Sequence, residues 1–176
     1  MEYITQKEFN KYWNHLLKSE GWQQEKKTFF GESDFSLIII ERDCSPFRPD
    51  FSVECGICIK ELGCHQYKFD PKIIIGYYHF PKFNHCHLYF DANELLPKNI
   101  ENQSCCFSRE NGFYDKESVD IIFTNLKEHV FPILRQCLIK NDFLHIYKKT
   151  KSFQFAFIHK EVQDWIKYVC PDLDTI

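Results

Sequence analysis

Nine cysteines and eight histidines in a chain of 176 residues are the side chains most able to carry chemistry. Cys55, Cys58, Cys64 and His65 form the first cluster, since thiolate and imidazole are the ligands a tetrahedral zinc site takes. Their spacing argues against joint chelation. Residues 51 to 60 have the pattern of a strand, and positions three apart on a strand point to opposite faces, so Cys55 and Cys58 would need a bulge or turn to meet. They read as packing thiols. His85-Cys86-His87, with His79 one strand away, is the second cluster. In an extended segment His85 and His87 share a face, and Asp91 could supply a third ligand. Partly exposed strand histidines are the commoner outcome, and the reading is of no metal and no cofactor, with metal binding at either cluster left open.

With so many thiols and imidazoles a Cys-His pair arises by chance, which weakens it as a signal of nucleophilic catalysis. The chain has no Gly-x-Ser-x-Gly elbow, Gly-rich phosphate loop, His-Glu-x-x-His helix or Cys-x-x-Cys-His segment, so no catalytic residue is assigned. Asp43 and Asp50, flanking a proline-containing loop, could meet a basic partner, although solvated loop carboxylates are the default. Lys26-Lys27 and Lys148-Lys149-Thr150-Lys151 are short basic stretches that read as solubilising faces. Tyr77, Tyr78, His79 and Phe80 are a surface hypothesis. Alternate members of a strand face opposite sides, so part of this aromatic area leaves the core and becomes a candidate protein interface unless helices cover both faces. A homodimer would use the same surplus.

The elements that must position these residues are partly legible. Thr5 and Glu8 have capping-box spacing, Phe9, Tyr12, Trp13, Leu16 and Leu17 make one apolar stripe, and Gly21 suits a left-handed end, which predicts a helix over 5–20. Lys26-Lys27 sits on a first strand or its turn, and Gly31 to Asp34 turns the chain. Phe35 to Glu41 reads as a central strand ended by Arg42-Asp43. Phe51 to Lys60 follows as a strand with Phe51, Val53, Cys55 and Ile57 on one face and Ser52, Glu54 and Gly56 on the other. Ile73 to Phe80, His87 to Phe90 and Cys105 to Ser108 are further strand candidates, with an irregular connection over 91–101. From Glu117 the period becomes helical through Leu138, broken at Pro132, and Asp142 to Tyr147 could extend it. Phe153 to Phe157 fits either a strand or the start of a last helix, which carries Val162, Trp165, Ile166 and Val169 and stops at Pro171.

Composition sets the outer limits. Apolar residues make up 44% and aromatics 17%, enough for one large core and too much for a disordered chain. The formal charge of -3 gives no electrostatic footprint for nucleic acid or an anionic membrane. No apolar run approaches the roughly 20 residues of a spanning helix, and the mixed charges after Met1 do not resemble a signal peptide. An odd number of scattered cysteines points to reduced thiols and a cytoplasmic location.

The order of features resembles the domain-of-unknown-function 4304 family of small bacterial proteins. The resemblance rests on Leu17-Lys18-Ser19-Glu20-Gly21-Trp22, Phe29-Phe30, Leu37-Ile38-Ile39-Ile40, Phe51-Ser52-Val53-Glu54-Cys55-Gly56-Ile57 and Val130-Phe131-Pro132-Ile133-Leu134, over roughly residues 5 to 140. It lends no catalytic constellation. Proteins of this general build include cognate-partner binders such as toxin-immunity proteins. The expectation is one α+β domain over 1–176, a mainly antiparallel sheet of four to six strands flanked by N- and C-terminal helices. Its expected role is noncatalytic binding of a protein partner, an immunity-type inhibitor being one form; a small metal-dependent or cysteine-dependent enzyme is the alternative.

Overall fold

The computed structural model describes residues 2–44, 50–63, 82–97, 104–149, 153 and 156–171. The chain begins with a short strand, β1 (Tyr3–Thr5), and helix α1 (Gln6–Ser19). The Thr5 hydroxyl accepts from the Glu8 amide at 3.3 Å while the Glu8 carboxylate accepts from the Thr5 amide at 2.8 Å, so the expected capping box is formed. Gly21 leaves the helix at φ +86, the left-handed conformation that glycine adopts without steric cost.

A hairpin follows, β2 (Gln23–Glu25) and β3 (Thr28–Glu32), turning at Lys26-Lys27. Next come β4 (Ser36–Cys44) and β5 (Phe51–Ile59), paired antiparallel along nine residues from Ser36 opposite Ile59 to Cys44 opposite Phe51. The expected end of β4 at Arg42-Asp43 is therefore too early, because pairing with β5 carries the strand past those charges. Gly31, expected in a turn, lies within β3, and the turn comes at Ser33 to Phe35. The strand expected over Ile73 to Phe80 lies outside the described residues.

Strands β6 (Leu88–Asp91) and β7 (Cys106–Phe107) both pair with β5, β6 along Glu54 to Ile57 and β7 at Phe51 and Ser52. The 3-10 turn Ala92–Leu95 occupies part of the connection expected to be irregular. Strand β8 (Phe113–Asp115) joins β1 in a separate two-stranded ribbon, and β9 (Phe157–Ile158) pairs with β6. The described main sheet thus runs β2-β3-β4-β5-β6-β9 with β7 beside β5, an antiparallel sheet one strand larger than expected. The architecture is α+β.

Helix α2 (Lys116–Asn125) passes through a π-helical turn, Leu126–Val130, into α3 (Phe131–Gln136). The break comes at Pro132, whose ring nitrogen cannot donate back to the preceding turn; the widened turn carries a bond from the Phe131 amide to the Leu126 carbonyl. It also turns the neighbours Val130 and Phe131 into the core together. The segment after residue 139 is a separate helix, α4 (Lys140–Lys149), reached through a turn at Cys137 to Ile139, and not an extension of the same one. Helix α5 (Lys160–Val169) closes the described chain, burying Val162 and Ile166 and ending before Pro171.

The helices lie on one face of the main sheet. Phe9, Trp13 and Leu17 of α1 pack with Ile38 and Ile40 of β4, Phe51, Val53, Cys55, Ile57 and Ile59 of β5, and Leu126, Val130 and Leu134 of the α2–α3 segment. Phe9 is an aromatic hub, its ring 4.4 Å from that of Tyr114 and 4.9 Å from that of Phe107. Arg42 shares this face: its guanidinium lies 5.4 Å from the rings of both Phe9 and Trp13 and donates to the Asn10 side chain. Ser33 and Ser36 tie the sheet to the end of α3 by donating to the carbonyls of Leu138 and Cys137 at 2.6 and 2.8 Å.

The opposite face has a smaller core of Phe30, Ile39, Cys58 and Cys86, with Phe83 packed against it. Burial on both faces explains why Leu37 to Ile40 is continuously apolar and does not alternate. The 3-10 turn Phe83–His85 lies against this face at Gly56, where an added Cβ would fall 2.5 Å from the Cys86 sulfur and 2.8 Å from the Phe83 carbonyl oxygen. A backbone neighbour cannot move aside as a flexible side chain can. Gly56→Ala should therefore lower unfolding stability by about 1–3 kcal/mol, the usual cost of overpacking, which urea denaturation would measure.

Candidate functional site

The second sheet face stops being apolar beyond Gly56. Register places Glu25 of β2 opposite Thr28 of β3, Glu41 of β4 opposite Glu54 of β5, and Glu54 opposite Asp91 of β6. The Thr28 hydroxyl donates to Glu41, closing the gap between the two halves. One row across five strands therefore carries four carboxylates and a threonine. In the next row, Asp43 lies opposite Ser52 and Ser52 opposite Cys106.

The hydrogen bonds to the three central carboxylates come from neutral groups. Glu41 accepts from Thr28 and from the Phe83 amide, Glu54 from the Ser52 hydroxyl, and Asp91 from the amide and side chain of Asn93. None of the three has a lysine or arginine partner among the described residues. Partial burial raises the Glu54 carboxyl above the usual range; the Ser52 bond opposes this, while the charges of Asp91 and Asp43 add to it. Asp91 is also raised, by burial, against the pull of its bonds from Asn93. Like charges directly across a sheet cost stability.

Beside this row stands an aromatic edge. Tyr89 faces Gly56 in the register and is flanked by Phe83, with ring centres 6.1 Å apart, and by Phe157, stacked at 4.8 Å. The Phe157 ring continues to His159 at 5.0 Å, and Phe157 is 50% exposed. Tyr89 and Asp91 are two residues apart on one strand, so aromatic and acidic surfaces adjoin on the same face.

The residues singled out from the sequence divide around this surface. Tyr77, Tyr78 and His79 lie outside the described residues, as do Cys64 and His65. Asp43 is exposed on the acidic face and contributes to the field at Glu54. Asp50 precedes β5 and accepts from the Ser108 hydroxyl at 2.6 Å. Cys55 sits in the helix-covered core and Cys58 in the small core opposite, so the two thiols point apart as their spacing required.

His85 and His87 do not share a strand. His85 belongs to the 3-10 turn, while His87, 1% exposed, precedes β6 and accepts from the Ile59 amide through Nδ1 at 2.8 Å. The His-Cys-His segment bends at Cys86, so alternation along one strand no longer applies. Among the described residues no group of three or more histidine, cysteine, aspartate or glutamate side chains could hold a metal ion. Burial pushes the Cys55 and Cys105 thiols up and that of Cys137 to about 12, which keeps all three protonated and poorly nucleophilic at neutral pH.

A surface cavity of about 540 Å³ lies elsewhere, lined by Glu2, Asp115, Lys116, Asp120, Ile121 and Asn125 among others. Its charges are partly satisfied internally: Lys116 pairs with Asp120 at 2.6 Å, and Asp115 caps α2 by accepting from the Ser118 amide and hydroxyl. Glu41, Glu54 and Asp91 have no such pairing among the described residues. Sequence reading noted Asp43 and placed Glu54 on the strand face opposite Phe51, Val53, Cys55 and Ile57, but Glu41 and Asp91 become neighbours of Glu54 only through strand register.

An antiparallel sheet with helices on one face and, among the described residues, an acidic, aromatic-edged surface on the other defines the class of protein: an α+β domain. The chain belongs to the family described as Domain of unknown function (DUF4304), whose model matches residues 13–136. That span contains the whole acidic row, while Phe157 and α5 lie beyond it. No curated protein and no solved structure matches the chain.

The raised carboxyls fix the sign of one pH effect. A folded-state value above the unfolded one means that the native state binds protons more tightly, so this contribution is present below the ordinary carboxyl range near 4 and is lost as pH rises through the folded values. Glu20 and Glu61, lowered by Arg135 and Lys140 respectively, act in the opposite sense. The difference between proteins isolates Glu54. Glu54→Gln should match wild type at about pH 4 and be more stable at pH 7 by about 0.5–1 kcal/mol, the size of a cross-strand charge contact, as read by urea denaturation across pH.

Proposed function

We propose that the protein acts without catalysis, by binding a basic protein partner on the acidic face of its sheet. The observation that carries this reading is the row Glu41, Glu54 and Asp91, three adjacent carboxylates held partly out of water with no lysine or arginine partner among the described residues. Such a row destabilises the free protein and is neutralised by a partner's lysines and arginines. Tyr89 and Phe157 supply the apolar part of the same surface, as aromatic residues do at the centres of protein interfaces.

An acidic face repels a phosphate backbone, so the partner is a protein and not a nucleic acid. Among the described residues no helix is long and apolar enough to cross a membrane, and the buried free thiols Cys55, Cys58, Cys86, Cys105 and Cys137 suit a cytoplasmic compartment. The specific form of the proposal is an immunity-type inhibitor that masks a basic protein by steric and electrostatic contact. The raised Cys55, Cys105 and Cys137 weigh against the cysteine-dependent alternative.

The test compares wild type with the Glu54→Gln/Asp91→Asn double variant, both shown to be folded by circular dichroism. Each is immobilised in extract of the source cells, eluted by salt, and the eluted proteins are identified. Wild type should retain a basic protein that the variant loses by tenfold or more, and size-exclusion chromatography of the purified protein alone should show a monomer. Identical captures by both proteins, or no capture by either, would refute the reading; self-association through this face would replace the foreign partner with a second copy.

A further inference from the structure

We infer that the acidic face is built to seat an arginine side chain of the partner, its guanidinium across Glu54 and Asp91 and its stem along the Tyr89–Phe157 edge. This deepens the binding proposed above and rests on it. The geometry distinguishes arginine from a general attraction for cations. Glu54 and Asp91 are direct cross-strand neighbours, a placement that sets β-carbons about 4.5–5.5 Å apart and suits a planar fork with several donors better than a single ammonium.

The two carboxylates are held in place by their own bonds. Ser52 donates to Glu54, and Asn93 donates to one oxygen of Asp91 through both its amide and its side chain. Asn93 is fixed in turn, its side-chain oxygen accepting from the Cys105 amide at 2.7 Å and its side-chain nitrogen lying 3.2 Å from the Cys106 sulfur. Little ordering of the acceptors is then left to the moment of binding.

The aromatic edge favours the same ligand. Tyr89 lies two residues from Asp91 on the same face and is stacked with the half-exposed Phe157, leaving π surface beside the carboxylates. A guanidinium bonds to carboxylates in its plane while its faces and stem pack on aromatic rings, whereas an ammonium is more strongly hydrated and has no flat face to stack.

Seating this cation couples binding to protons. Glu54 and Asp91 are both raised in the free protein, and a cation between them favours their ionised forms, so binding releases protons and strengthens as pH rises. Among the described residues, Glu41 lies opposite Glu54 and Asp43 adds negative charge at Glu54; Lys82 and His85 act on each other at the turn on this face, and His159 stands beyond Phe157. His85 is lowered by burial and by Lys82, with Glu41 opposing, so it is neutral at pH 7 and does not compete with the incoming cation.

The test uses the full chain and a defined probe. Nα-acetyl-arginine amide is titrated into isotopically labelled protein and followed by NMR, alongside Nα-acetyl-lysine amide and the neutral isostere Nα-acetyl-citrulline amide. The expected result is saturable shifts at Glu54, Asp91, Tyr89 and Phe157, with arginine bound at least threefold more tightly than lysine and citrulline producing no shift. The Glu54→Gln/Asp91→Asn variant should lose the response, and wild-type affinity should fall at least threefold from pH 7 to pH 4.5. Shifts elsewhere, no saturable shifts, equal affinity for lysine, or affinity independent of pH would each overturn the arginine seat. If the arginine response fails while partner capture still depends on Glu54 and Asp91, the binding function stands and only the seat is wrong. If arginine binds but no partner is captured, the seat stands and the partner reading falls.

Discussion

Strand β5 has to satisfy two different surroundings at once, and most of the molecule is arranged around that demand. One set of alternating positions, Phe51, Val53, Cys55, Ile57 and Ile59, enters the core beneath the helices. The intervening set, Ser52, Glu54, Gly56 and Cys58, faces the other way, and each member accepts a different neighbour. Cys58 joins a small apolar cluster, Gly56 lets a backbone turn lie directly on the sheet, and Glu54 remains in a row of acids. A shift of one residue in the pairing would bury the acid and expose the core, so the period of the strand and the division of the two surfaces are a single constraint.

The helix-covered side meets this constraint with aromatic packing. Phe9, Trp13, Phe29, Phe51, Phe107 and Tyr114 meet at ring-centre distances of 4.4 to 6.3 Å. Edge-to-face and stacked contacts contribute beyond area burial and restrict how α1 can lie on the sheet. Arg42 fits among them because its guanidinium can rest on ring faces and bond Asn10 in its plane. The π-helical turn before Pro132 serves the same surface, bringing Val130 and Phe131 inward together. Packing rigid enough to hold the strands in register also holds the carboxylate row, although that row adds nothing to the core.

Environment, more than residue type, separates the structural from the reactive side chains here. Cysteines are plentiful, yet burial holds Cys55, Cys105 and Cys137 in their protonated form, where they act as small apolar groups. Carboxylates are ordinary residues, yet Glu54 and Asp91 are perturbed because the fold holds them partly out of water, with the charges of Asp91 and Asp43 adding to the effect at Glu54. Function is better sought at that departure from good packing and pairing than among the most chemically suggestive residue types.

Local physics made several elements readable in advance. The capping box at Thr5 and Glu8, the glycine end at Gly21, the apolar stripe of α1 and the alternation of β5 each depend on residues within a few positions of one another, and each is present. The opposed directions of Cys55 and Cys58 follow from the same period. The length of β4 was not readable, because Arg42 and Asp43 look like a strand end until β5 pairs with them. Nor was the bend that separates His85 from His87, which depends on a turn lying against Gly56. The α+β class and the helix-forming segments were thus determined by sequence alone. The acidic surface was decided only in three dimensions: Glu41, Glu54 and Asp91 are distant along the chain, and it is hydrogen-bond register between strands that turns three unremarkable carboxylates into one charged row.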